Sequence, residues 1–370
     1  MDTDCGVDDM SAQLRAAVAD VFAVQDVTIG YGGGRAIRLR GQLLVEASEA
    51  YERLAPRFKE LGHTPLFRRE KNMDVILAIP GSLSGPALRQ QPWVAMALFL
   101  ATMVSVLFAG AAMEPVRSTE LLTLHGLLKG WPFALSLLSI LAAHELGHYF
   151  VARHFGTPVS LPYFIPMPLN FLGTMGAVIN MQGLPHNRRQ LLAIGAAGPL
   201  AGLALAVPIL ALGLSLSEVR CIPRGPVPVF IEGNSLLYIL FKFLVFGCYL
   251  PRGGMDVFLH PTAFAGWAGL MLTGVNLMPV GQLDGGHIIY ALLGHHARRL
   301  NWIIIAVLVA LGFVWQGWFL WAALLFLFSR RPTPLLDEIT KPDLPVQLLA
   351  ALAVLVFILT FVPIPMRVGG

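Results

Sequence analysis

The sequence predicts a multi-pass α-helical membrane protein carrying a small soluble α+β domain at its amino-terminal end, and three observations support this. Of 370 residues, 56% are hydrophobic and only 13% charged. Mean hydropathy is +0.67, well outside the balance of a soluble globular chain. Charge is also uneven: the first 90 residues hold 11 Lys and Arg and 12 Asp and Glu, leaving 15 and 10 for the following 280.

The polar part comes first. Residues 35–45 begin with strand-like alternation, residues 48–62 place Tyr51, Leu54, Phe58 and Leu61 at helical spacing, and 66–69 and 73–80 are further strand candidates. These elements predict a domain over 1–81, a linker with Gly, Ser and Pro over 82–90, and a membrane-embedded part over 91–370. Gly32, Gly33 and Gly34 read as a tight turn rather than a phosphate loop, because no Lys-Ser/Thr pair or helix start follows. The first 25 residues open with four aspartates and lack a basic stretch before an apolar core. No cleavable signal peptide is expected, and the amino terminus is expected in the cytosol.

A bilayer core about 30 Å thick needs about 20 apolar residues as helix. Runs over 90–113, 131–155, 190–217, 257–283, 300–328 and 344–366 fit that length. Trp315-Gln316-Gly317-Trp318 interrupts the fifth run, which reads as a hairpin of two short helices. About seven crossings result. With the amino terminus inside, Arg153, Arg188/Arg189, Arg298/Arg299 and Arg330/Arg331 also fall inside, and the charge-balanced loop 114–129 falls outside.

The apolar stretch 235–250 is not counted as a crossing, since it would move Asp284 to the side opposite the end of the helix bearing His148. Lys242 at its centre is also ill suited to lipid. It reads as an interfacial or partly inserted helix on the outer side. Residues 159–181, broken by Pro162, Pro166, Pro168, Gly173 and Gly176, suit a re-entrant loop or an irregular connector better than a crossing.

The chemistry sits in two motifs. His144-Glu145-Leu146-Gly147-His148 places two imidazoles one helical turn apart on one face, where they can hold a single Zn²⁺, with Glu145 positioned to act on water at the metal. A catalytic zinc site takes three protein ligands. Asp284 is the only carboxylate between Asp256 and Asp337 and falls at comparable depth, just after Pro279 and Gly281. Asn276, in the same stretch, reads either as a group facing the site or as a helix-packing polar side chain. The three cysteines have no metal-ligand spacing. Cys221 and Cys248 share the outer segment, where a disulfide is open to them, although nothing fixes their separation. The net charge of +4 reflects topology, so no nucleic-acid partner is expected.

The pair HELGH and NLMPVGQLDGG resembles the site-2 protease family of zinc intramembrane metalloproteases, whose motifs are HExxH and NxxPxxxLDG. The resemblance runs from about residue 131 to 293. It extends to Gly173-Thr174-Met175-Gly176, similar to the family's membrane-inserted β-loop, and to Gly198-Pro199-Leu200-Ala201-Gly202 in the next helix. The segment 215–260 is too short for the PDZ domain many members carry, which resembles the branch with a cytosolic amino-terminal domain and no PDZ domain.

The resemblance implies that His144, His148 and Asp284 bind Zn²⁺ and that Glu145 is the general base. It further implies that Asn276, Gly173, Thr174 and Gly176 contact the substrate, a membrane-spanning protein in the lipid bilayer of the cell membrane. His154, His287, His295 and His296 read as interfacial or supporting groups. Two other classes stay open on the residues alone: a catalytically silent scaffold of the same fold, and a transporter, for which broken helices and buried carboxylates are also expected.

Overall fold

The computed structural model describes residues 3–31, 35–83, 91–114, 120–121, 123–222, 229–328 and 334–369. The glycine triplet 32–34, most of the linker 82–90, part of the loop 114–129 and Arg330/Arg331 lie outside the described residues.

The amino-terminal part is built from α1 (Thr3–Val18), β1 (Phe22–Tyr31), β2 (Ala36–Leu43), α2 (Ala47–Glu60), β3 (His63–Glu70) and β4 (Met73–Pro80). The strands form one antiparallel sheet in the order β1-β2-β4-β3. Helix α2 buries Ala47, Ala50, Tyr51, Leu54 and Phe58 along one face, the amphipathic spacing that made it legible. This face meets Leu14 of α1 and Phe22, Ile37, Leu39, Phe67 and Ile76 of the sheet. Sequence reasoning missed α1 and β1. Most of β1 is exposed or half-buried edge strand, so it lacks the alternation that a half-buried strand shows.

The opposite edge, β3, is covered by a segment from far along the chain. Phe67 N–H donates to the Leu336 carbonyl at 2.8 Å, and Glu338 N–H donates to the Phe67 carbonyl at 3.1 Å. The same strap pairs on its other side, with Asp337 N–H donating to the His186 carbonyl at 2.7 Å and Leu336 N–H to the Pro185 carbonyl at 3.2 Å. Arg68 reinforces it by donating to the Leu335 carbonyl at 2.9 Å.

The apolar part begins with α3 (Pro92–Ala111), the short α4 (Leu124–Leu128) and α5 (Trp131–His154). A hairpin of β5 (Tyr163–Pro166) and β6 (Thr174–Val178) precedes α6 (Arg188–Ser215). Helices α3, α5 and α6 are long and apolar enough to cross a membrane. Next come β7 (Glu218–Cys221), β8 (Val229–Glu232), α7 (Leu236–Phe246), β9 (Met255–Phe258) and α8 (Pro261–Asn276). The chain ends with α9 (Asp284–Leu293), α10 (Ala297–Gly312), α11 (Gly317–Phe328), α12 (Leu344–Thr360) and β10 (Met366–Gly369).

Two apolar runs are shorter as helices than the sequence suggested. The run 257–283 yields a helix of 16 residues, because its start pairs as β9 with β7 and its end turns through Gly281 at φ +62°. That turn is held by Asn301 of α10, whose side-chain oxygen accepts the Gly281 N–H at 2.8 Å. The run 344–366 is helical only to Thr360, after which Met366–Gly369 pairs with β8. The interrupted run 300–328 is two helices, α10 and α11. Both Cys221 and Cys248 are free.

Helix α7 spans 11 residues and carries Lys242 inward, only 1% exposed. Its ammonium lies 3.0 Å from Asp256 and 3.5 Å from Glu232, and the Tyr238 hydroxyl donates to Glu232 at 2.8 Å. Removing one partner of a buried ion pair leaves an uncompensated charge, which costs about 3–5 kcal/mol. Lys242→Ala is therefore expected to lower unfolding free energy in detergent by about that amount. A loss of less than about 1 kcal/mol, the value of an exposed pair, would show that the cluster is solvated.

Candidate metal centre

Helix α5 exposes Leu135 and Phe150 but buries His144, Glu145 and His148 at 6–7% exposure. Imidazole Nε2 of His144 lies 3.2 Å from Nε2 of His148. Asp284, the first residue of α9, places one carboxylate oxygen 3.3 Å from His144 Nε2 and the other 3.3 Å from His148 Nε2. His148 Nδ1 is 2.7 Å from the Ile194 carbonyl. A carbonyl only accepts, so Nδ1 carries a proton, and Nε2 is the ring atom turned toward Asp284 and His144.

This convergence depends on glycines of α6. A methyl group at Gly198 would lie 2.0 Å from His148 Nε2, and one at Gly202 would lie 3.3 Å from His144 Nδ1. On the facing helix, a methyl at Gly147 would meet the Ala197 carbonyl at 2.6 Å. The Gly198-to-Gly202 motif is thus the surface against which the two imidazoles lie.

The donor set fits zinc. Zinc bonds to nitrogen and to carboxylate oxygen are about 2.0–2.1 Å, so two ligand atoms at a tetrahedral angle stand about 3.3–3.4 Å apart. The two imidazole nitrogens stand 3.2 Å apart, each with a different Asp284 oxygen at 3.3 Å, and the three side chains form one group able to hold a metal ion. His148 also has the supporting carbonyl that metal-bound histidines ordinarily use.

A cavity of about 530 Å³ opens onto these groups and is lined by Glu145, Asn276, Gln282 and His287 as well as the three candidate ligands. The Asn276 amide nitrogen lies 3.3 Å from His144 Nε2, so Asn276 faces the centre and is not merely a packing group. His287 stands one helical turn after Asp284 on the cavity wall, whereas His154, His295 and His296 are exposed.

The β5–β6 hairpin borders the cavity through its last residues. Gly173, Thr174 and Gly176 are not among the lining residues, which begin at Ala177 and run through Asn180 and Met181. Gly173 (φ +72°) packs on α3, where Ser105 donates its hydroxyl to the Gly173 carbonyl at 2.6 Å. Thr174 ties the hairpin by donating to the Ile165 carbonyl at 2.8 Å. Glycine is needed at 173 and 176 because φ is positive at both. The loop residues that sequence reasoning noticed shape the hairpin, and their neighbours meet the cavity. No strand pairs with the far edge of β6 among the described residues.

Gly198→Ala should displace the His148 imidazole while leaving the rest of α6 helical. Zinc affinity, read by competition with a chromophoric chelator, is expected to fall about 10–100-fold, as for loss of a supporting contact. Stoichiometric zinc at parental affinity would show that His148 is not a ligand.

Comparison with known proteins agrees with this geometry. The chain is similar to the probable zinc metalloprotease EGY2, chloroplastic, of Arabidopsis thaliana, with 30% identity over 356 residues, covering 92% of this chain and 62% of that protein. The EGY2 protein of Oryza sativa subsp. indica is 30% identical over 85% of this chain and 58% of its own length. The probable zinc metalloprotease EGY1, chloroplastic, of Arabidopsis thaliana is 32% identical over 63% of this chain and 43% of its own length. The chain thus spans about three fifths or less of these relatives. No solved structure matches. The model of peptidase family M50 matches residues 132–315, a stretch that includes all three candidate ligands and Glu145, and this part of the chain belongs to that family, the site-2 proteases.

Proposed function

We propose that the protein is a zinc-dependent intramembrane endopeptidase that hydrolyses a peptide bond of membrane-spanning protein substrates. The observation that carries this reading is the convergence of His144, His148 and Asp284, with Glu145 beside them, in one cavity bordered by the end of β6. His144, His148 and Asp284 hold the metal. Zinc there supplies a Lewis acid and acidifies water. Glu145 takes a proton from the attacking water on its carboxylate and returns it to the leaving amide nitrogen, the role of a general acid–base group. The Asn276 amide donates a hydrogen bond to the substrate backbone or to the oxygen that gains charge.

A substrate helix has its peptide groups tied in hydrogen bonds, so cleavage requires local unwinding. The unpaired edge of β6 offers an unwound segment replacement partners. Gly173, Thr174 and Gly176 serve this recognition by holding the hairpin in shape. In the proposed topology about seven helices cross the membrane, residues 159–181 re-enter it, and α7 lies at the outer surface. Residues 1–81 form a cytosolic domain joined by the linker 82–90 to the membrane domain 91–370.

Glu145→Gln should retain zinc and lose about 10²–10⁴-fold in cleavage of a reconstituted single-span substrate, the usual contribution of a positioned general base. Asp284→Asn should lose zinc as well as activity. Equal cleavage by the parent and Glu145→Gln would overturn the assignment, and a zinc-free parent that still binds client helices would establish the silent scaffold instead.

A further inference from the structure

We propose that the junction between the amino-terminal sheet and the membrane part is a substrate subsite. It receives the substrate chain beyond the scissile bond as an extended segment carrying a small, uncharged polar side chain. This deepens the proteolytic reading above and rests on it.

A second cavity, of about 250 Å³, lies at that junction. Thr64 of β3 and Ser82 just after β4 line it from the amino-terminal side, and Thr157, His186 and Gln190 line it from the membrane side. Its relation to the catalytic cavity is direct, because Gly183 and Leu184 line both.

The border of the catalytic cavity runs along Ala177, Val178, Asn180 and Met181 to Gly183. A substrate segment extended beside β6 and following this border reaches the shared wall about five residues beyond Val178, or about 17 Å at the rise of a strand. Polypeptide leaving the metal centre in this direction therefore meets residues of the amino-terminal sheet.

The lining specifies the chemistry. Among the described residues, no Asp, Glu, Lys or Arg lines the second cavity, so a charged side chain entering it would find no counter-ion among them. Hydroxyl, amide and imidazole groups provide hydrogen bonds instead. Nε2 of His186 is a buried polar atom with no hydrogen-bond partner among the described residues, the kind of group that ordinarily has one. Burial lowers the His186 pKa against the opposing pull of Asp337 and Glu52, so the ring stays neutral at pH 7.

The cavity is also small, about 250 Å³ against about 530 Å³ for the catalytic one, and its wall at Gly183 is packed against Pro158, where a methyl group would lie 2.8 Å from Cδ. The lining residues from the amino-terminal part are held in place by the strap at 335–338, which joins the β3 edge to Pro185 and His186 by hydrogen bonds on both sides.

The test uses the full-length Glu145→Gln protein in liposomes with a single-span polypeptide carrying a photo-cross-linking residue. The residue is placed in turn about three to seven positions from the substrate position that cross-links to α5 and α9, on the side of the amino-terminal sheet, the reach set by strand geometry. Cross-links to Thr64, Ser82 or residues 155–158 are expected at one or two of these positions. Cross-links confined to 174–181 and the metal-bearing helices would overturn the proposal. This readout needs no turnover, so a parent enzyme without proteolytic activity would sink the assigned reaction and leave the cross-link result to judge the subsite.

A second measurement uses the parent enzyme and a substrate series with Ser, Trp or Arg at the cross-linking position. The Ser substrate is expected to show a kcat/KM at least about tenfold above the other two, within the range a shaped pocket imposes. Thr64→Trp should lower kcat/KM for that substrate by a similar factor, relative to a substrate that ends before the junction. Equal rates across the series, or no change in that ratio, would overturn the proposal.

Discussion

The close approach of α6 to its neighbours is the constraint on which the centre depends. Gly195, Gly198 and Gly202 recur at spacings of three and four residues, so they share one face. A methyl at Gly195 would stand 3.3 Å from the Asp284 carbonyl oxygen, and methyls at the other two would meet His148 and His144. One strip of small residues therefore seats both elements that carry the candidate ligands. In lipid, helices gain little from hiding apolar surface from one another, and small residues that permit close packing supply the attraction instead. The same helix gives His148 its acceptor, the Ile194 carbonyl, one turn before Gly198. Space for the ring and the bond that fixes its tautomer come from adjacent turns of one element.

The parts of the site legible in the sequence are those that local spacing encodes. Two histidines four apart on a helix face the same way whatever surrounds them, so HELGH could be interpreted before any partner was known. Asp284 was legible for a different reason: it is a lone carboxylate in a long apolar region, where an ionisable group needs a function. Gly198 to Gly202 stood out as a motif, but its purpose was hidden, because what a glycine makes room for is a neighbour distant in the chain. The β5–β6 hairpin illustrates the same limit. Its turn-forming glycines are conspicuous, whereas Ala177 to Met181 have no distinctive composition and gain their role only from where the strand ends.

The amino-terminal part divides along similar lines. Helix α2 was visible because burial of Tyr51, Leu54 and Phe58 imposes a helical period. Strand β1 was not, because an exposed edge imposes no period. The strap at 335–338 joins β3 across some 270 residues of sequence, and backbone pairing of that range leaves no mark in the residues involved. Parallel strand contacts need long crossovers, and this one takes in every element from β4 to α11. Loop-closure entropy rises only slowly with such length, so the pairing is thermodynamically affordable once the membrane helices have fixed its two sides.

Two polar clusters are buried in this apolar chain, and the contrast between them separates structure from chemistry. Around Lys242, an ammonium faces Asp256 and Glu232 while Tyr238 donates to Glu232. There the protein itself supplies the cation that the carboxylates face. Around His144 the count is different. His148 donates from Nδ1 to Ile194, which leaves Nε2 facing the His144 ring and a carboxylate oxygen of Asp284. Electron-rich atoms packed 3.2–3.3 Å apart repel unless a cation or a proton lies among them, and burying that repulsion in a membrane protein has no structural return. A cluster that calls for a cation or a proton, with Glu145 adjacent on a cavity that also takes in Asn276, has the properties of a reaction centre, whereas the Lys242 cluster, with its cation built in, has those of a tether.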